Sequence, residues 1–199
     1  MPTTDPNAQP SRRKVVAHHY LSVDGVAEAP DRFFTSWDDE TDAYAGRVIA
    51  TQDTVILGRA SYDEWSRFWP TSDIQPFADF INHVPKYVAT SSPLGGDWAE
   101  AHVIEGDLVD CVRDLQQRPG GDIGVHASIE VTQALIAAGV VDELRLIVMT
   151  TVIGSGRRLF DSVPTTTLEL VDFAASPSGH LLLTYRVVGR PDPAGHPTA

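Results

Sequence analysis

The chain has 199 residues, 42% of them hydrophobic, which suits one globular domain with a substantial core. Its 15 basic residues against 27 acidic ones leave a net charge of −12, which argues against a nucleic-acid surface, since phosphate contacts need clustered Lys and Arg. A single cysteine, Cys111, excludes an internal disulfide and a cysteine metal cluster, and no apolar run is long enough to span a bilayer.

Residues 1–13 are rich in Pro, Thr, Asn and Arg and lack the apolar middle of a signal peptide, so a disordered tail and a cytoplasmic location are expected. Residues 190–199 read the same way, leaving 14–189 as one domain. A first strand is predicted over 14–23, with a turn at Asp24-Gly25. Trp37, Thr41, Tyr44 and Val48 then recur at helical spacing and predict a helix over 37–51.

The run Thr54, Val55, Ile56, Leu57 predicts a strand buried on both faces. Gly58 breaks it, Arg59 follows, and from Ser61 the period becomes helical through Tyr62, Trp65 and Phe68. A strand that stops at glycine and turns straight into a helix exposes that helix's first backbone N–H groups. With an arginine and the Ser61 hydroxyl beside them, they make an anion site; a plain strand–helix corner with a solvated arginine is the other reading.

Phe77, Phe80 and Ile81 predict a short helix ending before Pro85, followed by short strands at 86–90 and 103–104. Asp107 can cap a helix carrying Leu108, Val112 and Leu115, which stops at Pro119-Gly120-Gly121. A strand over 122–126 leads to Ser128, a second expected cap, and a helix that Gly139 ends. A strand over 144–152 and a hairpin of 168–173 with 180–188 complete the chain.

Strand and helix in alternation, closed by a hairpin, call for an α/β three-layer sandwich. Its central sheet is mostly parallel, with helices on both faces and a C-terminal antiparallel hairpin. Ligands in such sheets lie beyond the carboxyl ends of the strands. Three of those ends carry small or hydroxylic residues: Gly58-Arg59, Thr90-Ser91-Ser92 and His126-Ala127-Ser128.

The motifs LSVDGVAEAPD (21–31), VILGRASYDEW (55–65), PKYVATSS (85–92), DIGVHAS (122–128), GVVDELRL (139–146) and VIGSGRRLF (152–160) together make the chain resemble the dihydrofolate reductase-like proteins. The resemblance is stronger to the branch related to the reductase domain of the riboflavin-pathway deaminase–reductase, and it spans roughly residues 14–188. It implies an NAD(P)H-dependent oxidoreductase using NADPH, with a flavin left open, that passes hydride to a small heterocycle such as a pterin or a pyrimidine. By position, it implies that Gly58, Arg59 and Ser61 hold phosphates of the dinucleotide. Thr90, Ser91 and Ser92 would lie near its 2′-phosphate, and the turn of Val125, His126, Ala127, Ser128 and Ile129 would meet the pyrophosphate. It also implies a homodimer paired through the sheet and hairpin, with Leu181, Leu183 and Tyr185 on the exposed face.

Two departures matter. Family members usually carry glycine just before the serine at 128, where this chain has Ala127. Either the 126–127 peptide is trans and the cofactor sits further out, or binding is weaker. The proton donor is the second. In the folate enzymes it is an acidic residue early on the first helix, where Asp38 and Asp42 are the candidates; first-turn acids also serve simply as partners of the macrodipole.

Tyr20 and Trp37 are candidate substrate contacts, and the Gly154 loop with Arg157 and Arg158 is placed by the resemblance at the pocket rim. His18 and His19, adjacent on a strand, point to opposite faces and are expected as hydrogen-bonded structural residues. The scattered histidines offer no metal site. A catalytically silent nucleotide- or small-molecule-binding protein on the same fold is the alternative to an enzyme.

Overall fold

The structure, a computed structural model, describes residues 12–189; the segments 1–11 and 190–199 of the expected tails lie outside them. Among the described residues, five α-helices and eight strands follow one another. They are β1 (Val15–Leu21), α1 (Asp39–Ile49), β2 (Gln52–Gly58), α2 (Arg59–Phe68), α3 (Phe77–His83), β3 (Lys86–Ala89), β4 (Ala101–Val103) and α4 (Leu108–Gln117). The chain continues through β5 (Asp122–His126), α5 (Ile129–Ala137), β6 (Glu143–Val148), β7 (Thr167–Ala175) and β8 (Leu181–Gly189). No helix among the described residues is long and apolar enough to cross a membrane.

The strands form one sheet in the order β4-β3-β2-β5-β1-β6-β8-β7, with β1 to β6 parallel and β8 and β7 antiparallel. This is the mixed three-layer architecture expected from the alternation. Odd positions of β1 and β5 (Val15, Ala17, Ile123, Val125) pack with Ile129 and Leu135 of α5 and Val112 and Leu115 of α4 on one face. On the other face Tyr44 and Val48 of α1 cover Ile147 and Met149, and Tyr62 and Ile81 of α2 and α3 cover Val55, Leu57 and Val88.

Several boundaries move for physical reasons. Arg13, placed by sequence in the tail, is buried: its guanidinium pairs with Asp53 and donates to Thr54 Oγ1 and Gly121 O. Trp37 is not on the first helix, because Asp38 is the N-cap and its carboxylate accepts from Thr41 N at 2.8 Å. β6 ends at Val148, where the chain leaves the sheet to lie against residues 22–28.

On the hairpin, Leu183 and Tyr185 are half-buried against the core, so the exposed apolar surface is carried by Leu181 with Leu170 and Phe173 of β7.

Candidate functional site

The β2–α2 corner forms as the sequence suggests. Gly58 is the N-cap of α2, carries no side-chain acceptor, and is followed by a first turn without an acidic residue. The first N–H groups of α2 are therefore uncapped. Directly opposite is the start of α5. Ser128 stands at its N-cap position but, contrary to expectation, does not cap the helix. Its hydroxyl instead accepts from Gly58 N at 2.7 Å and donates to Ser61 Oγ at 2.9 Å. Two uncapped helix N-termini are thereby tied side by side, whereas α1 and α4 are capped by Asp38 and Asp107.

These ends open onto a cavity of about 580 Å³ lined by Gly58, Arg59, Ser61, Ala127, Ser128 and Arg157 among others. It offers an anion converging backbone N–H groups, two linked hydroxyls and two guanidinium groups, each guanidinium paired with a carboxylate of the same lining, Asp63 or Glu130. Arg59 stands between this cavity and a second one of about 360 Å³, which Arg67, Gly95 and Gly96 help to line. Its Nε donates to both carboxylate oxygens of Asp63 at 2.8 Å, and Nη1 to Ser92 Oγ at 2.8 Å and Pro93 O at 2.9 Å. Thr90 and Ser92 are thus gathered onto Arg59, while Ser91 stays exposed. Part of the arginine's charge is balanced by Asp63, one helical turn on.

The 125–129 turn divides between the two faces. Val125 and Ile129 are buried in the core, so only their backbones can meet a ligand. Ala127 is exposed at the cavity with φ +53° and follows a trans peptide. Left-handed backbone costs an alanine more than a glycine, so Ala127→Gly is expected to stabilise the fold by about 0.5–1 kcal/mol in denaturant titration.

His126, expected to touch the cofactor, turns its ring to the opposite face, among Trp65, Phe77 and Phe80. Strand alternation gives the reason, since Val125 faces α5 and its neighbours must face away.

On that opposite face lies a buried polar seam. His126 Nε2 donates to Gln52 Oε1 at 2.7 Å, and His18 Nδ1 donates to Arg145 O at 2.8 Å. Gly124 makes the room: a Cβ there would collide with Gln52 Oε1 and press on His126 Nε2. His19, on the other face, shares a 2.8 Å hydrogen bond with Thr132 Oγ1. Burial lowers the pKa of His18 to about 4 and of His19 to about 3, and holds that of His126 well below its usual value.

Tyr20 stacks edge-on with His18 and Phe34 and lies 5.9 Å, centroid to centroid, from Trp37. Burial, then the nearby Asp42 charge, raises the Tyr20 pKa above the ordinary phenol range. Trp37 Nε1 donates to Asp42 Oδ1 at 3.4 Å. Tyr20, Trp37 and Asp42 therefore form one group.

Asp38 is elsewhere occupied: besides capping α1, its other oxygen accepts from Ser178 N at 2.7 Å. Although partial desolvation opposes it, the hydrogen bonds from Thr41, Ser176 and Ser178 hold its carboxyl below the usual range. A carboxylate so committed is a poor proton donor.

Gly154 is tied to Asp24 Oδ2 through its N–H at 2.8 Å, and the residue of its loop that lines the large cavity is Arg157. Sequence reasoning put Arg157 only at the rim, and a glycine loop followed by paired arginines was the one signal for it.

The family model for the RibD C-terminal domain matches residues 13–182. The chain is 25% identical over 191 residues to the uncharacterized protein YyaP of Bacillus subtilis (strain 168), covering 87% of this chain and 95% of that one. In structure it is similar to a putative riboflavin biosynthesis protein from Shewanella sp. PV-4 (TM-score 0.68, 14% identity, 87% of this chain and 98% of that one). It is also similar to the dihydrofolate reductase of Enterococcus faecalis complexed with NADP(H) (TM-score 0.60, 16% identity, 88% and 96%).

Proposed function

The chain belongs to the RibD C-terminal domain family, and from that membership we propose that it is an NADPH-dependent reductase acting on a small heterocycle, a pterin, a pyrimidine or a related compound. The observation that carries this is the pair of uncapped helix N-termini, joined through Ser61 and Ser128 and flanked by Arg59 and Arg157 at one cavity of about 580 Å³. Gly58, Ser61, Ala127 and Ser128 would hold the pyrophosphate, and Arg59 with Thr90, Ser91 and Ser92 the 2′-phosphate end. The dinucleotide complex of the bacterial dihydrofolate reductase with the same fold supports that choice of cofactor.

When bound, the reduced nicotinamide supplies a hydride. This chain's part is to orient the acceptor and deliver a proton. Tyr20 and Trp37 would pack against a planar substrate, and Tyr20, its pKa raised by burial, would keep its hydroxyl proton. Asp42, held by Trp37 Nε1, is the acid we assign to proton delivery, since Asp38 is committed to its cap.

A second reading, a binding protein without turnover on the same fold, is favoured by one observation, the Ala127 Cβ at the cavity with its left-handed backbone. Incubation with NADPH and a panel of pterins, lumazines and uracils, followed by nicotinamide absorbance, separates the two. Oxidation with any of them supports the reductase; tight binding with none oxidised supports the silent protein.

Two copies are proposed to pair through the hairpin. Leu170, Phe173 and Leu181 are 48%, 69% and 45% exposed on one face, an apolar patch unsuited to water. Light scattering at micromolar concentration is expected to give the dimer mass, and a monomer would count against it. The net charge of −12 supports a protein that binds no nucleic acid, and a cytoplasmic location away from the membrane is proposed with it.

A further inference from the structure

We propose that Arg157 is a second cation of the large cavity and that Glu130 holds it in a closed pair until a diphosphate displaces the carboxylate. The inference rests on the cofactor reading above and adds a gate to that site.

Arg157 is built into place. Gly156, at φ +121°, has no Cβ to press on Val26 Cγ1, so the loop lies flat on residues 25–28. Ala27 N and Glu28 N both donate to Arg157 O, at 3.0 and 3.3 Å, and Leu159 N donates to Gly25 O at 3.1 Å. The backbone is fixed while the side chain, half exposed, reaches the cavity wall.

Its guanidinium has two carboxylate partners. Nε donates to Glu28 Oε1 at 3.1 Å, and Nη1 to Glu130 Oε1 at 2.7 Å. Glu130 lies in the first turn of α5, the same turn whose N–H groups are uncapped. Its carboxylate thus meets one guanidinium and one helix N-terminus, the two features a phosphate would seek. The lining carries two arginines, Arg59 and Arg157, and two carboxylates, Asp63 and Glu130, so its formal charge is zero. A diphosphate gains little from that balance until one carboxylate moves away.

Glu130 is the one that can move. Its side chain is 82% exposed, and a solvated ion pair is weak enough to exchange. Glu28 remains on Nε and keeps the guanidinium pointed at the cavity while Nη1 changes partner. A phosphate then takes the place of the Glu130 carboxylate, with two charge-assisted bonds available to the fork.

The test is titration with NADPH at low salt of wild type, Arg157→Gln and Glu130→Gln, together with protection from thermal unfolding by inorganic pyrophosphate. We expect Arg157→Gln to raise the Kd about tenfold and Glu130→Gln to lower it about threefold. Pyrophosphate should protect Glu130→Gln most and Arg157→Gln least. If wild type binds NADPH and neither variant differs, or if Glu130→Gln binds more weakly, the gate is wrong and the cofactor reading stands. If wild type does not bind NADPH or pyrophosphate, both fall together.

Discussion

Between pH 7 and about pH 5 the protein is expected to lose on the order of 4 kcal/mol of stability from two histidines alone. His18 and His19 are buried neutral, with pKa values lowered from 6.5 to about 4 and about 3. The unfolded chain takes up protons as the pH falls through the ordinary value, and the folded chain does not until its own lowered values are reached. Stability is therefore complete above about pH 7, falls below 6.5, and stops falling only near the folded values. Each of the two accounts for about 2 kcal/mol at pH 5, and His126, shifted the same way by burial, adds to the loss.

Most domains hold only about 5–15 kcal/mol in total, so this change approaches the whole margin. Urea titrations at several pH values measure it directly. A stability flat from pH 7 to 5 would mean that His18 and His19 titrate in the folded chain as they do in the unfolded one, open to water.

Arg59→Ala is expected to weaken NADPH binding by about 2–3 kcal/mol, or roughly 30- to 150-fold in Kd. The loss exceeds that of a solvated arginine because Asp63 remains. Its carboxylate, now bound to Arg59 Nε through both oxygens, would be left unpaired beside the incoming phosphates. The same change releases the 90–93 turn, which Arg59 Nη1 holds through Ser92 Oγ and Pro93 O. The double change Arg59→Ala with Asp63→Asn should recover part of the affinity by removing the repulsion. Equal affinity of wild type and Arg59→Ala would show that the arginine serves only to hold that turn.

Much of the fold was legible because its signals are local. Buried strand runs such as 54–57, the Asp107 cap and the Gly139 stop act over a few residues, and each appears where the sequence puts it. The strand–glycine–helix corner at Gly58-Arg59-Ser61 was legible for the same reason. What failed depends on distant partners. Ser128 leaves its capping position because Gly58 N and Ser61 Oγ, some 70 residues away, need its hydroxyl more than its own helix does. Arg13 belongs to the fold through Asp53 and Gly121, which no reading of 1–13 alone reveals. Arg157 reaches the cavity through bonds to residues 25–28.

Asp38 is a different case. A cap and a catalytic acid use the same residue type at the same helix start, so composition does not separate them; its bonds to Thr41 and Ser178 do. His126 was within reach of the sequence, since alternation along β5 already places it opposite Val125.

The proposed dinucleotide at the joined N-termini of α2 and α5 is tested most directly by titration of the full chain with NADPH and with NADH, followed by tryptophan fluorescence. Saturation by NADPH is expected at micromolar concentration, with NADH binding weaker by about tenfold or more if Arg59 and its serines meet the 2′-phosphate as proposed. Binding of neither below millimolar would contradict a dinucleotide site there.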